Sequence, residues 1–93
     1  MKYILDTNVC IKILKGSSEK IKQKITNIND EDIIIPSIVR FELYYGAYKS
    51  KKHNEVMKTL SLFLQSFKSL VFDDNAAILC GEIRASLAKK NTP

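Results

Sequence analysis

Three short runs in the chain contain only apolar or aromatic side chains: Tyr3-Ile4-Leu5, Ile33-Ile34-Ile35 and Leu70-Val71-Phe72. Continuous β-branched and aromatic runs, with no polar residue at alternate positions, mark strands covered on both faces, as in a parallel sheet between helices. The stretches between the runs are too long for hairpins and carry helical periodicity, so crossover connections are expected. A chain of 93 residues has room for one such unit, residues 1–93, with no linker or internal repeat to divide it. With 45% hydrophobic and 27% charged residues it can bury a core, which excludes a disordered chain. The expected fold class is α/β, a small parallel sheet with helices on both faces.

The segments between the strands have recognisable ends. Asp6-Thr7-Asn8 supplies cap residues before a short helix that Gly16 ends, and Ser17 or Ser18 starts a second helix striped by Ile21, Ile25 and Ile28. Pro36-Ser37 opens a third helix, whose stripe of Ile38, Phe41, Tyr45 and Tyr48 is expected to face inward. A fourth helix from about Lys52 to Ser66 carries Val56, Leu60, Phe63 and Leu64, with Phe67 just beyond it. Asp73-Asp74-Asn75 caps a fifth, striped by Leu79, Ile83 and Leu87 and ending near Lys89-Lys90-Asn91.

Charge and cysteine content narrow the function. Fifteen basic against ten acidic residues give a net +5, which favours a polyanionic partner, and Lys49, Lys51, Lys52 and His53 form the densest basic cluster. That cluster reads equally as a solvated helix end or a phosphate-contact patch. Cys10 and Cys80 lack the spacing of a zinc site and are expected to be buried free thiols. No apolar run approaches the roughly 20 residues of a membrane span, and no h-region follows Met1, so a cytoplasmic protein with no membrane partner is expected. The absence of GxxxxGK[ST] and GxGxxG runs excludes a phosphate-loop NTPase and a Rossmann site. A phosphotransferase with a nucleophilic Asp6 fares poorly because the residue two places on is Asn8, not an acid.

In open parallel sheets, ligands bind beyond the carboxyl ends of the strands. That rule selects Asp6, directly after the first strand, as a candidate metal-binding carboxylate; its alternative is simply a helix cap. Glu42 shares a helix face with Ile38 and Tyr45 and is expected to point inward, where a carboxylate needs a partner or a ligand. Its alternative is an exposed residue paired with Arg40 or a lysine. Two carboxylates at adjacent strand ends suit a hard divalent cation such as Mg²⁺ or Mn²⁺.

The segments Tyr3-Ile4-Leu5-Asp6-Thr7-Asn8, 35–47 from Ile35 to Ala47, Phe72-Asp73-Asp74-Asn75-Ala76-Ala77 and Gly81-Glu82-Ile83-Arg84-Ala85 occur in family order over nearly the whole chain. In these the chain resembles the PIN-domain ribonucleases, and within them the VapC toxins of type II toxin–antitoxin modules. The resemblance implies a PIN-like three-layer α/β/α domain and an Mg²⁺- or Mn²⁺-dependent endoribonuclease acting on structured RNA, tRNA or rRNA. It implies a VapB-type antitoxin as partner, a homodimer or toxin–antitoxin hetero-oligomer, and DNA contact only through the antitoxin. Asp6 matches the family's first acid and Glu42 its second, as catalytic and metal-binding residues, with Thr7 and Asn8 orienting the first. Further acids of the family lie C-terminal to Thr92-Pro93, so the domain is expected to be C-terminally incomplete. Asp73 and Glu82 are then weaker candidates to replace them, Arg84 a weaker candidate RNA contact, and a catalytically silent antitoxin-binding or self-associating module is the alternative. Tyr45 and Phe63 are expected to line the antitoxin groove on the third and fourth helices.

Overall fold

Parallel strands β1 (Tyr3–Ile4), β2 (Ile33–Pro36) and β3 (Lys68–Leu70) form one sheet in the order β1-β2-β3. In register, Ile4 lies beside Ile34, and Ile35 beside Ser69. The computed structural model describes residues 1–91; Thr92 and Pro93, the expected boundary with the next family segment, lie outside the described residues. The crossovers are helical throughout: α1 (Thr7–Lys15) and α2 (Glu19–Thr26) join β1 to β2, and α3 (Ser37–Lys49) and α4 (His53–Gln65) join β2 to β3. Helix α5 (Asp74–Asn91) follows β3 and packs against β1.

Local chemistry explains these boundaries. Gly16 stops α1 in the left-handed conformation (φ 62°), returning its N–H to the Ile13 and Lys12 carbonyls, and Ser18 Oγ caps α2 by accepting from the Ile21 N–H at 3.3 Å. Pro36 ends β2 and stands just before α3, where its missing N–H costs the helix no hydrogen bond. On β2, Ile33 and Ile35 are fully buried and point to one face, where they meet Leu5, Cys10, Val39, Leu43, Ala47, Leu60 and Leu64. Cys10 and Cys80 are buried free thiols, as their apolar surroundings suggest.

Arg40 ties three elements together. Its guanidinium donates to the carbonyls of Ile35 (2.8 Å), Leu64 (3.3 Å), Phe67 (3.1 Å) and Lys68 (3.2 Å), joining β2, the end of α4 and the start of β3. It adds a side-chain donor to carbonyls at the C-terminal end of α4 and in the turn that leads into β3.

Three expectations need correction. The third strand runs over 68–70 and not 70–72; Val71, 75% exposed, and Phe72 lie beyond it. An edge strand bonded only to β2 takes its register from β2 and from Arg40, and does not need apolar residues on both faces. In α3 the buried face is Val39, Leu43 and Ala47, while Ile38, Phe41, Tyr45 and Tyr48 are exposed. Among the described residues of α5, Ala76 and Cys80 are buried, Leu79 is exposed and Ile83 and Leu87 are half-buried.

Candidate active site

Asp6 follows Leu5, whose N–H still donates to the Ile34 carbonyl at 3.1 Å, so the sheet fixes its backbone. The Asp6 Oδ1 accepts from the Val9 N–H at 2.8 Å, making it the N-cap of α1. The cap and the candidate ligand are therefore the same residue, and α1 holds the carboxylate at the end of β1.

Glu42 reaches the same place from α3. It is exposed, so the inward burial that suggested a ligand is not its situation. Its position comes instead from Thr7, whose Oγ1 donates to Glu42 Oε1 at 3.0 Å. Thr7 thus orients the second carboxylate and not the first, and Asn8 is exposed and makes no side-chain hydrogen bond among the described residues. Arg40 points away from Glu42, into the carbonyl cluster described above.

Asp6, Thr7 and Glu42 line one cavity of about 360 Å³, walled by Ile4 of β1, Ile38 and Val39 of α3, and Ala77, Cys80, Gly81 and Arg84 of α5. Burial pushes the Cys80 thiol pKa up, while the Arg84 charge one turn away pulls it down. Asp73 is the cap of α5: its Oδ1 accepts from the Ala76 N–H at 2.9 Å, and neither Asp73 nor Glu82 lines the cavity. Sequence reasoning missed the α5 wall, although Ala77, Gly81 and Arg84 recur at a helical interval that places them on one face.

Two oxygen-donor side chains facing one cavity match the requirements of Mg²⁺ or Mn²⁺, which take one or two carboxylates and keep several waters. No group of three His, Cys, Asp or Glu residues among the described residues is placed to hold a metal, so the donors this site offers are Asp6 and Glu42.

A second, apolar groove of about 520 Å³ runs between α1, α3 and α4, lined by Ile11 and Leu14, Leu43 and Gly46, and Val56 and Leu60. Glu42 borders both the groove and the cavity, so the two adjoin at that carboxylate. Tyr45 is exposed on the outer face of α3 and does not line this groove. Phe63 does not line it either: it is half-buried against the core, edge-on to Phe67 with ring centroids 5.2 Å apart.

The PIN domain family matches residues 3–92. The chain is 40% identical over its whole length to the tRNA(fMet)-specific endonuclease VapC of Salmonella typhimurium, spanning 70% of that protein. It is 33% identical to the protein of the same name from Shigella flexneri, again over the whole chain and 70% of the relative. Among solved structures, DNA-bound VapBC from Salmonella typhimurium superposes with a TM-score of 0.73 at 40% identity, over all of this chain and 70% of that one. VapBC2 from Rickettsia felis bound to a promoter DNA fragment gives the same TM-score at 30% identity, over all of this chain and 71% of its own.

Proposed function

The chain belongs to the PIN-domain family, among its VapC ribonucleases, and from that premise we propose that it is a toxin whose Asp6 and Glu42 serve a divalent-metal-dependent endoribonuclease reaction. The observation that carries this reading is the shared cavity: two carboxylates at the carboxyl end of β1, one held by the Val9 N–H and the other by Thr7. Bound there, Mg²⁺ or Mn²⁺ would supply a water of lowered pKa and charge stabilisation at the phosphate. The chain's own part is to hold both carboxylates before RNA arrives, so that little reorganisation accompanies the reaction. Structured RNA is the substrate class, with tRNA favoured over rRNA by the names of the two relatives described above.

The antitoxin is of VapB type, and its seat is the apolar groove between α1, α3 and α4. An amphipathic helix laid there would bring a basic side chain past Glu42 toward Asp6, blocking the site by charge pairing. DNA contact would then pass through the antitoxin. Because the described site offers only two carboxylates, a catalytically silent antitoxin-binding or self-associating module is the second reading.

The test is cleavage of total tRNA by the chain with Mg²⁺ or Mn²⁺, against EDTA controls, alongside Asp6→Asn and Glu42→Gln. Metal-dependent cleavage lost in both variants supports the nuclease. Cleavage in EDTA, or retained in Asp6→Asn, would remove the metal mechanism; no cleavage by the parent, with antitoxin binding intact, selects the silent module.

A further inference from the structure

The cavity holding Asp6 and Glu42 is closed by one face of α5, and Arg84 is the cation on that face. Arg84 is exposed, and its guanidinium makes no hydrogen bond or ion pair among the described residues. It therefore has no structural bond that would explain its place. Arg40 provides the contrast, with its guanidinium committed to four carbonyls.

A phosphodiester entering this cavity meets two carboxylates of its own sign. Like charges at such range repel appreciably even in a solvated site. A guanidinium on the opposite wall offsets that repulsion and binds phosphate oxygens in a planar, two-pronged arrangement. The approach is open, because Ala77 and Gly81 on the same helix face carry the smallest side chains, and nothing lies within 4 Å of where a Cβ on Gly81 would stand. We propose that Arg84 is a substrate-binding residue, receiving a phosphate of the RNA backbone across the cavity from Asp6 and Glu42. This rests on the ribonuclease reading and adds to it a residue that touches substrate.

The experiment measures tRNA binding in an Asp6→Asn background, so that bound RNA is not consumed, as a function of salt. Arg84→Ala is expected to weaken binding about tenfold and to make the slope of log K against log salt shallower by roughly 0.7–0.9, the signature of one lost phosphate contact. Arg84→Lys should restore the slope but not the full affinity. In the chain with Asp6 intact, Arg84→Ala should lower kcat/KM for tRNA cleavage with an unchanged melting temperature. Arg84→Gln, which keeps most of the stem, is measured alongside so that a folding defect is not mistaken for lost contact. If the parent binds and cleaves tRNA and Arg84→Ala and Arg84→Gln both retain its affinity and slope, Arg84 is not a phosphate ligand and the ribonuclease reading stands. If the parent neither binds nor cleaves tRNA, that reading falls and this assignment with it.

Discussion

Asp6 does two jobs at one position, and substitutions separate them. Asn caps a helix as well as Asp does, so Asp6→Asn should leave unfolding in urea within about 0.5 kcal/mol of the parent, whereas Asp6→Ala should cost about 1 kcal/mol. A large loss of stability in Asp6→Asn would mean that the charge, and not the cap, holds β1 to α1. Cys10 allows a second check. Its thiol is fully buried, and burial, reinforced by the nearby Asp6 carboxylate, pushes its pKa up to about 12 from 9.0. Because the folded-state pKa is raised, this contribution to stability is fully present below pH 9.0 and is lost as pH climbs toward about 12. The slope in that window is about 1.4 kcal/mol per pH unit. Urea midpoints between pH 8 and 10.5 should fall more steeply for the parent than for Cys10→Ala; equal slopes would show that the thiol titrates freely. At this scale the place of Asp6 at the cavity was legible because it directly follows an apolar strand, whereas Glu42 lines the same cavity from an exposed position and not from the buried one that suggested it. Thr7 as the partner of Glu42 was not, since that hydrogen bond spans 35 residues and no local pattern encodes it.

Helix α3 shows why periodicity finds an element more readily than its orientation. Val39, Leu43 and Ala47 recur at intervals of four, and Ile38, Phe41, Tyr45 and Tyr48 at three and four, so both sets satisfy a helical stripe. The larger side chains drew the inward assignment, but β2 and α4 approach so closely that the smaller set fills the space. Glu42 was assigned to the site from a face that turns out to be exposed; what brings it beside Asp6 is the packing of α1 against α3. Two expectations belong here. Arg40→Ala removes the shared donor of four carbonyls and should cost about 3 kcal/mol, lowering the melting temperature by more than roughly 10 °C. Arg40→Lys should recover only part of this, because one ammonium cannot serve all four oxygens. Gly46 lies inside α3 on the wall of the apolar groove, with nothing within 4 Å of an added Cβ. Gly46→Ala should therefore stabilise the chain by about 1 kcal/mol, read as a higher urea midpoint. Gly46→Leu, which fills the groove, should remain folded yet fail to co-purify with a co-expressed antitoxin; retained co-purification would move the antitoxin off this groove.

The molecule as a whole exposes more surface than its size requires. A monomer of this mass typically exposes about 5,500 Å² and has a radius of gyration of about 12 Å. This chain exposes 6863 Å² with a radius of gyration of 13.7 Å. The excess exceeds the roughly 800 Å² that one partner buries in a standard interface. The exposed apolar surface includes aromatic rings: Phe41 and Tyr48 on α3 are 65% and 67% exposed, and Phe72 is exposed before α5. The parallel arrangement was legible because the helical crossovers are long, although the third strand begins two residues before its apolar run. Net charge and apolar surface oppose each other in self-association, and salt decides between them. At +5 the copies repel at low ionic strength, and the repulsion fades as the Debye length shortens from about 14 Å at 50 mM to about 4 Å at 500 mM. Light scattering on the isolated chain at about 100 µM, a concentration at which weak association shows, should give a mass near 10.6 kDa in 50 mM salt that rises by 500 mM. Phe41→Glu with Tyr48→Glu should keep it monomeric throughout. A mass that falls as salt rises would instead identify carried-over nucleic acid as the cause, since those contacts weaken with salt. A parent that stays monomeric at 500 mM would mean that the α3 aromatics do not drive association.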